Sequence, residues 1–472
     1  MYNQVHKFKA GVIMKVVYLL FILLFVSCAN SHKVGKINSD EGSPQINFDV
    51  KEHTLSNGLK VFVVENHKLP IFSYYTFFKV GGKHESDGIT GASHFLEHMM
   101  FKGAKKYGVN EFDENVEGNG GTNNAYTTND MTVYYEKMPS EHINLIIDIE
   151  ADRMGNLLLE PAGFEKERGV VLEERKMRYE NSDRGKIYLN MMQAIFEGTP
   201  YGTSVIGKVE DLKTVTRDQF FDFFKKFYAP NNAFIFIVGD VDADDVFDEI
   251  DKKFGSLKKN EKLAELKKAA VHGGFDFKGK FNRDIYLNGT SVDPMFMLAF
   301  KGVKVGPRDA YVLDILSSIL GDGQSSYLNK HFVLGKKPKT ASIYAANYTL
   351  VESGVFFIGG QLLSGVNMKS FKKDLLKKIK KTCSGELTER SLQKVKNQYL
   401  VNFFDGLDTN DGIASFLGNR QAFYGDYSHY NKEMEIYNSI TLDEVQSSCE
   451  KYLKRENSIY LTIWKNNPKS KN

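Results

Sequence analysis

From Phe48 onward, apolar and polar positions follow recognisable periods that change from segment to segment. The runs KVFVVEN (60–66) and IFSYYTFFKV (71–80) are rich in β-branched and aromatic residues, with SNG before the first as a turn, and both predict strands. NNAYTTNDMTVYYEKM (123–138) alternates, with many Thr, Val and Tyr residues, and predicts a single further strand. EHINLIIDIEADRMGN (141–156) has the period of a helix. EPAGFEKERGVVLEERKMRYE (160–180) places Pro161 at a favourable first helical position and predicts another. NNAFIFIVGDV (231–241) predicts a buried strand, and DADDVFDEIDKKFG (242–255) the helix that closes this half.

The order of elements then repeats. In 75–103 and again in 296–323, an apolar strand leads through a Gly-containing turn to an amphipathic helix ending at Gly. Likewise FDFFKKFYAPNNAFIFIVGDV (221–241) and QSSCEKYLKRENSIYLTIWKN (446–466) both run from a helix with an aromatic and Lys pair, through a polar turn, to a strand. An internal duplication with a period of about 220 residues accounts for this. The expected fold class is α+β: two homologous domains, 45–257 and 276–468, each a mostly antiparallel sheet flanked by helices. The charged stretch SLKKNEKLAELKKAA (256–270) marks the join, and 258–275 is assigned as linker.

The start of the chain follows a different pattern. MKVVYLLFILLFVSCAN begins at Met14, a better start than Met1, and carries 11 uninterrupted apolar residues at 16–26. A bilayer span needs ~20, so the run suits a secretory signal core. Residues 1–28 end like a bacterial lipobox in which Cys28 is lipidated, although Phe25 departs from the usual Leu. Polar residues 29–44 would then tether a domain to a membrane of the bacterial envelope, on the periplasmic side.

Composition adds exclusions. With 472 residues and a net charge of +3, and no basic stripe interleaved with stacking aromatics, the chain has no feature of a nucleic-acid binder. Its three cysteines, Cys28, Cys383 and Cys449, form no C-x-x-C pair. Cys383 and Cys449 are expected to be free and partly buried, with pairing open to them in an exported protein.

Candidate chemistry is concentrated in GASHFLEHMMFKG (91–103). His94, Glu97 and His98 are separated by three and four residues and share one helical face. A metal site, a proton relay and a solvated helix surface are all compatible with the spacing alone. Phe95, Leu96, Met99 and Met100 make the helix mostly apolar, and buried His and Glu require partners. Zn²⁺ takes imidazole and carboxylate ligands in a tetrahedron, with one position left for water at catalytic sites. Two ligands can come from His94 and His98; a third must come from another element. In 160–180, Glu167 and Glu174 lie two turns apart on one face, whereas Glu165 and Glu173 lie on others.

H-x-x-E-H at 94–98, followed by EKERGVVLEE (165–174), resembles the pitrilysin/insulinase zinc peptidases, a family that includes mitochondrial processing peptidase and bacterial relatives, and the likeness extends over nearly all of the chain beyond 44. The resemblance implies one Zn²⁺ held by His94, His98 and Glu174, with Glu97 as general base and Glu167 orienting a histidine. It favours Glu174 over its neighbour Glu173. It further implies a clamshell of two domains around a chamber, in which a peptide substrate adds a strand beside Asn124, Ala125 and Tyr126. Complete members carry an Arg and a Tyr seven residues apart in the second domain. The matching stretch here, SSYLNKHFVLGKKPKTASIYAANY (325–348), has Asn329 where the Arg is expected, and Tyr344 stands too far on. A homologous second subunit, or the facing chain of a homodimer through Lys330 or Tyr344, would supply the missing donors. A non-catalytic scaffold that keeps the fold is the competing expectation.

Overall fold

The computed structural model describes residues 47–270, 274–275 and 277–467. The signal segment, Cys28 and the tether lie outside the described residues. Among the described residues, strands form two sheets. The first contains β1 (Lys51–Thr54), β2 (Lys60–Glu65), β3 (Ile71–Phe78), β4 (Thr122–Thr127), β5 (Thr132–Pro139) and β6 (Ala233–Gly239), in the order β1-β2-β6-β3-β5-β4. The second contains β7 (Arg283–Asn288), β8 (Met295–Lys301), β9 (Thr340–Thr349), β10 (Gly354–Leu362) and β11 (Ser458–Trp464), in the order β7-β11-β8-β10-β9. Without β1 the two orders correspond strand for strand. Each sheet has one parallel pair, β2 with β6 and β7 with β11, and is otherwise antiparallel. The α+β reading therefore holds, and the duplication is visible in the topology.

β6, AFIFIVG, is buried at every position because its sheet is covered on both faces. On one face Val61, Val63, Tyr74, Ile235 and Ile237 pack against helices of the same half. On the other face Phe62, Phe77, Phe234 and Phe236 pack against Ala414 and Leu417 of the helix Asn410–Tyr424, from the second half. The exchange is reciprocal. Ile187, Met191 and Ile195 of the helix Asp183–Ile195 cover Met297, Ala299, Leu461 and Ile463 of the second sheet. The start of each exchanged helix is tied to the loop after the first strand of the corresponding set. Asp183 accepts from the backbone of Thr290 and Ser291 at 2.9 and 2.7 Å, while Asn410 bonds Asn66 and the Ile71 carbonyl at 2.7 and 3.1 Å.

Two expectations, on residues 123–138 and on the cysteines, are corrected, and the linker gains detail. Residues 123–138 form a hairpin, β4 and β5, and not one strand, because Thr128 makes the turn: its hydroxyl accepts from Asp130 N and Met131 N, and its N–H donates to the Met131 carbonyl. The linker is in part a helix, Leu263–Ala270, whose Leu263, Leu266 and Ala270 pack on the first core. Cys383 and Cys449 are not free: they are joined in a disulfide, their Cα atoms 5.4 Å apart where the end of the helix Met368–Lys381 meets the helix Leu442–Tyr452. No described helix is long and apolar enough to cross a membrane.

Candidate metal centre

The helix Ala92–Met99 begins at Gly91, with φ of 90°, and its first N–H groups point at a carboxylate brought by the preceding loop. Glu85 accepts from Gly91 N at 2.6 Å and Ser93 N at 2.7 Å, satisfying donors that a helix start leaves unpaired. Burial pushes the Glu85 carboxyl up to about 7 despite these bonds. The apolar side of the helix sets its neighbour in place. Phe95 stacks on Phe164 at 4.9 Å and meets Phe220 edge-on at 4.7 Å. Phe164 belongs to the helix Pro161–Arg175, whose buried positions are Phe164, Glu167 and Val171. The contact that locks the two helices together thus brings Glu167, and Glu174 two turns on, to the histidines.

His98 Nδ1 donates to Glu167 Oε1 at 2.8 Å, which leaves Nε2 facing inward, 3.3 Å from Glu174 Oε2. His94 Nε2 lies 3.6 Å from the same oxygen. That oxygen is buried and accepts no aligned hydrogen bond, and His94 Nδ1 is also buried without a partner among the described residues. Glu174 Oε1 is held at 2.9 Å by Arg178. One ligand atom from each of His94, His98 and Glu174 falls within 4.8 Å of the others. In a tetrahedral zinc site with bonds of about 2.1 Å, neighbouring ligand atoms stand roughly 3.4 Å apart. The unbonded oxygen at 3.3 and 3.6 Å from two imidazole nitrogens fits that spacing, and the donor set fits zinc. Glu173, the neighbouring candidate, is turned outward with its side chain 75% exposed.

Electrostatics follow the packing. Burial and the neighbouring His98 push His94 down to about 4, so its ring is neutral and free to be a ligand. Burial also opposes charge on His98, but Glu167 and Glu174 outweigh it and raise the ring to about 9. Glu174 is held below the usual carboxylate range by His98, and Glu167, against its burial, by His98 and Lys102. Glu97 is raised by burial, against the Thr127 hydroxyl that donates to its Oε2.

Asn124, Ala125 and Tyr126 lie on β4, which among the described residues pairs only with β5 and forms one edge of the first sheet. The next residue, Thr127, reaches Glu97, so this edge strand runs beside the centre. Asn329 is bonded within the second half: its amide donates to the Gly321 carbonyl, the Ser326 hydroxyl and the Ile343 carbonyl. Thr127, Glu85 and Arg178 were not singled out from sequence. Arg178 was findable as the i+4 neighbour of Glu174; the other two depend on loop and hairpin geometry.

Comparisons with known proteins bear on this arrangement. Residues 60–209 match the family described as Insulinase (Peptidase family M16), and residues 214–399 match that described as Peptidase M16 inactive domain. A Helicobacter pylori protein named zinc protease PqqE is 31% identical over 366 residues, covering 77% of this chain and 81% of that protein. The chain belongs to the M16 peptidase family. Mitochondrial-processing peptidase subunit beta of Dictyostelium discoideum is 25% identical over 417 residues, covering 85% of this chain and 86% of its own. The crystal structure of a Helicobacter pylori protease superimposes with a TM-score of 0.82 at 26% identity, over 88% of this chain and 100% of that one. The H-x-x-E-H sequence and Glu174 fall in the stretch matched by the insulinase description.

Proposed function

We propose that the chain is a zinc-dependent endopeptidase that cleaves unfolded peptides bound as an added strand along β4. The observation that carries this is the buried, unbonded Glu174 Oε2 between the Nε2 atoms of His94 and His98. These three residues would hold the metal, and Glu167 keeps the His98 ring oriented by accepting its Nδ1–H. Zn²⁺ bound there supplies a Lewis acid that polarises a peptide carbonyl and acidifies water. Glu97 then serves as general base: its carboxylate takes the proton of the attacking water and returns it to the leaving amine, while Thr127 fixes one of its oxygens. A peptide pairing with the free edge of β4 gains backbone hydrogen bonds with little demand on its side chains.

The same reading extends to assembly and location. A homologous subunit carrying the Arg and Tyr that this chain lacks completes the catalytic unit, a proposal supported by the likeness to a protein named as one subunit of a processing peptidase. Lipidation of Cys28 would anchor the chain in the bacterial envelope, facing the periplasm; the Cys383–Cys449 disulfide supports an oxidising compartment. Metal analysis with peptide hydrolysis tests the central reading. The purified chain should carry one zinc, and His98→Ala or Glu174→Gln should lose most of it. Glu97→Gln should keep the metal and lose ~10²-fold or more of the hydrolysis. Zinc without hydrolysis in any assembly would favour the scaffold; full zinc in the ligand variants would remove the ligand assignment.

A further inference from the structure

The seam between the two halves holds a second concentration of charge, separate from the metal centre. A cavity of about 370 Å³ lies where the two halves meet: Lys79, Lys83, His84 and Asp130 line it from the first half, Lys267 and Lys268 from the helix Leu263–Ala270, and Glu352, in the turn between β9 and β10, with the end of the helix Asn410–Tyr424 from the second. Lys83 is compensated. Its ammonium lies 2.8 Å from Asp130 Oδ1 and 4.0 Å from Glu352. Asp130 is in turn fully engaged, accepting from the Tyr201 hydroxyl at 2.7 Å and from Val351 N at 3.2 Å.

Lys79 and Lys267 have no carboxylate within ion-pair distance among the described residues. The Lys79 ammonium has only the face of Phe234 at 5.4 Å. Burial, then the charge of Lys60, holds Lys79 below its ordinary value; burial, then Lys79 and Lys83, brings Lys267 down to about 8. His84 accepts from Gly81 N through Nδ1 at 3.2 Å. Burial, then Lys83 and Lys267, pushes it down to about 3, so its single proton sits on Nε2 as a further donor. Ammonium groups taken out of water are destabilised unless a counter-charge meets them. The cavity is short of negative charge and well supplied with donors.

We propose that this cavity binds a small oxyanion of the phosphate class, held by Lys79 and Lys267 with His84 Nε2–H and Lys268 as further donors. The anion would join the helix Leu263–Ala270 to the first sheet and to the second half's turn at 351–352. A carboxylate offers fewer acceptor oxygens than a phosphate to four donors that line the cavity from the first half and from the helix Leu263–Ala270, so phosphate is the better match.

Calorimetric titration tests this, using inorganic phosphate and glycerol 1-phosphate against the zinc-loaded full chain at ionic strength fixed with sodium chloride. One equivalent is expected to bind, and to bind equally to His98→Ala, which excludes zinc as the acceptor. Tighter binding of the ester would assign the occupant to an organic phosphate, and tighter binding of inorganic phosphate to the free anion. Lys79→Met/Lys267→Met, with wild-type circular dichroism and zinc content, should bind either one ~10-fold or more weakly. Should that variant fold poorly, protection of Lys267 from acetylation by phosphate in the wild-type chain gives the same information. No heat beyond the chloride control, unchanged affinity in the double variant, or no protection would each overturn the proposal.

Discussion

Glu167 shows how one side chain acts through another. It accepts from His98 Nδ1 and, with Glu174, makes the ring more basic. Glu167→Gln keeps an oxygen for that bond but removes the charge. Zinc affinity, measured by chelator competition, should fall ~10- to 100-fold while hydrolysis at saturating zinc is largely kept. Undiminished affinity would mean that His98 is held by packing alone. At this scale, legibility tracked sequence distance. His94, Glu97 and His98 share a face by local helical geometry, and the same geometry separates Glu174 from the exposed Glu173. Thr127 could not be read, since its bond to Glu97 spans 30 residues and exists only because 123–138 turns back on itself. The partners of Asn329 are set in the same way: its amide reaches the Gly321 and Ile343 carbonyls, 8 and 14 residues away, through the second half's fold.

The helix carrying the histidines depends on Gly91, the residue that caps its start. A Cβ on Gly91 would lie 2.7 Å from the Ile206 carbonyl, at a φ that L-residues rarely adopt. Gly88 has the same φ of 90° but nothing within 4 Å of the corresponding position. Gly88→Ala should therefore cost only the backbone strain, ~1 kcal/mol. Gly91→Ala should cost ~1–3 kcal/mol more and also weaken zinc binding, because it displaces the N–H groups that Glu85 caps. Urea unfolding and zinc affinity measured side by side decide this; equal costs, or unchanged zinc affinity in Gly91→Ala, would show that the cap does not position the helix. Long apolar strands such as β3 and β6 were legible from composition because both their faces are buried. The hairpin and the helix within the linker were not, since a turn of only three polar residues before Met131 and a charged segment with three inward positions leave weak periodic signals.

On the scale of the whole chain, the exchanged helices make the two halves dependent on each other. A fragment spanning 46–257 would keep the helix Asp183–Ile195 without its sheet and expose Phe62, Phe77, Phe234 and Phe236 without their cover. It should bind hydrophobic dye and aggregate when expressed alone, and recover solubility when co-expressed with 258–472. A monomeric, cooperatively folded fragment would show that each sheet stands without the exchange. A separate question is whether the intertwined chain suffices for catalysis. On the proposed reading a second subunit supplies an Arg and a Tyr, for which Asn329, committed to its backbone partners, is no substitute. Losing one donor to a developing oxyanion costs ~3 kcal/mol in the barrier, or about 10²-fold in rate. The isolated, zinc-loaded chain is therefore expected to cleave unstructured peptides feebly, and a homologous subunit that carries the pair to restore the rate at 1:1 stoichiometry. A homodimer would instead show specific activity that rises with concentration of the chain alone. Full activity of the lone chain, constant across a dilution series, would mean that donors within this chain, such as Arg178 beside Glu174, already do what the missing pair does elsewhere.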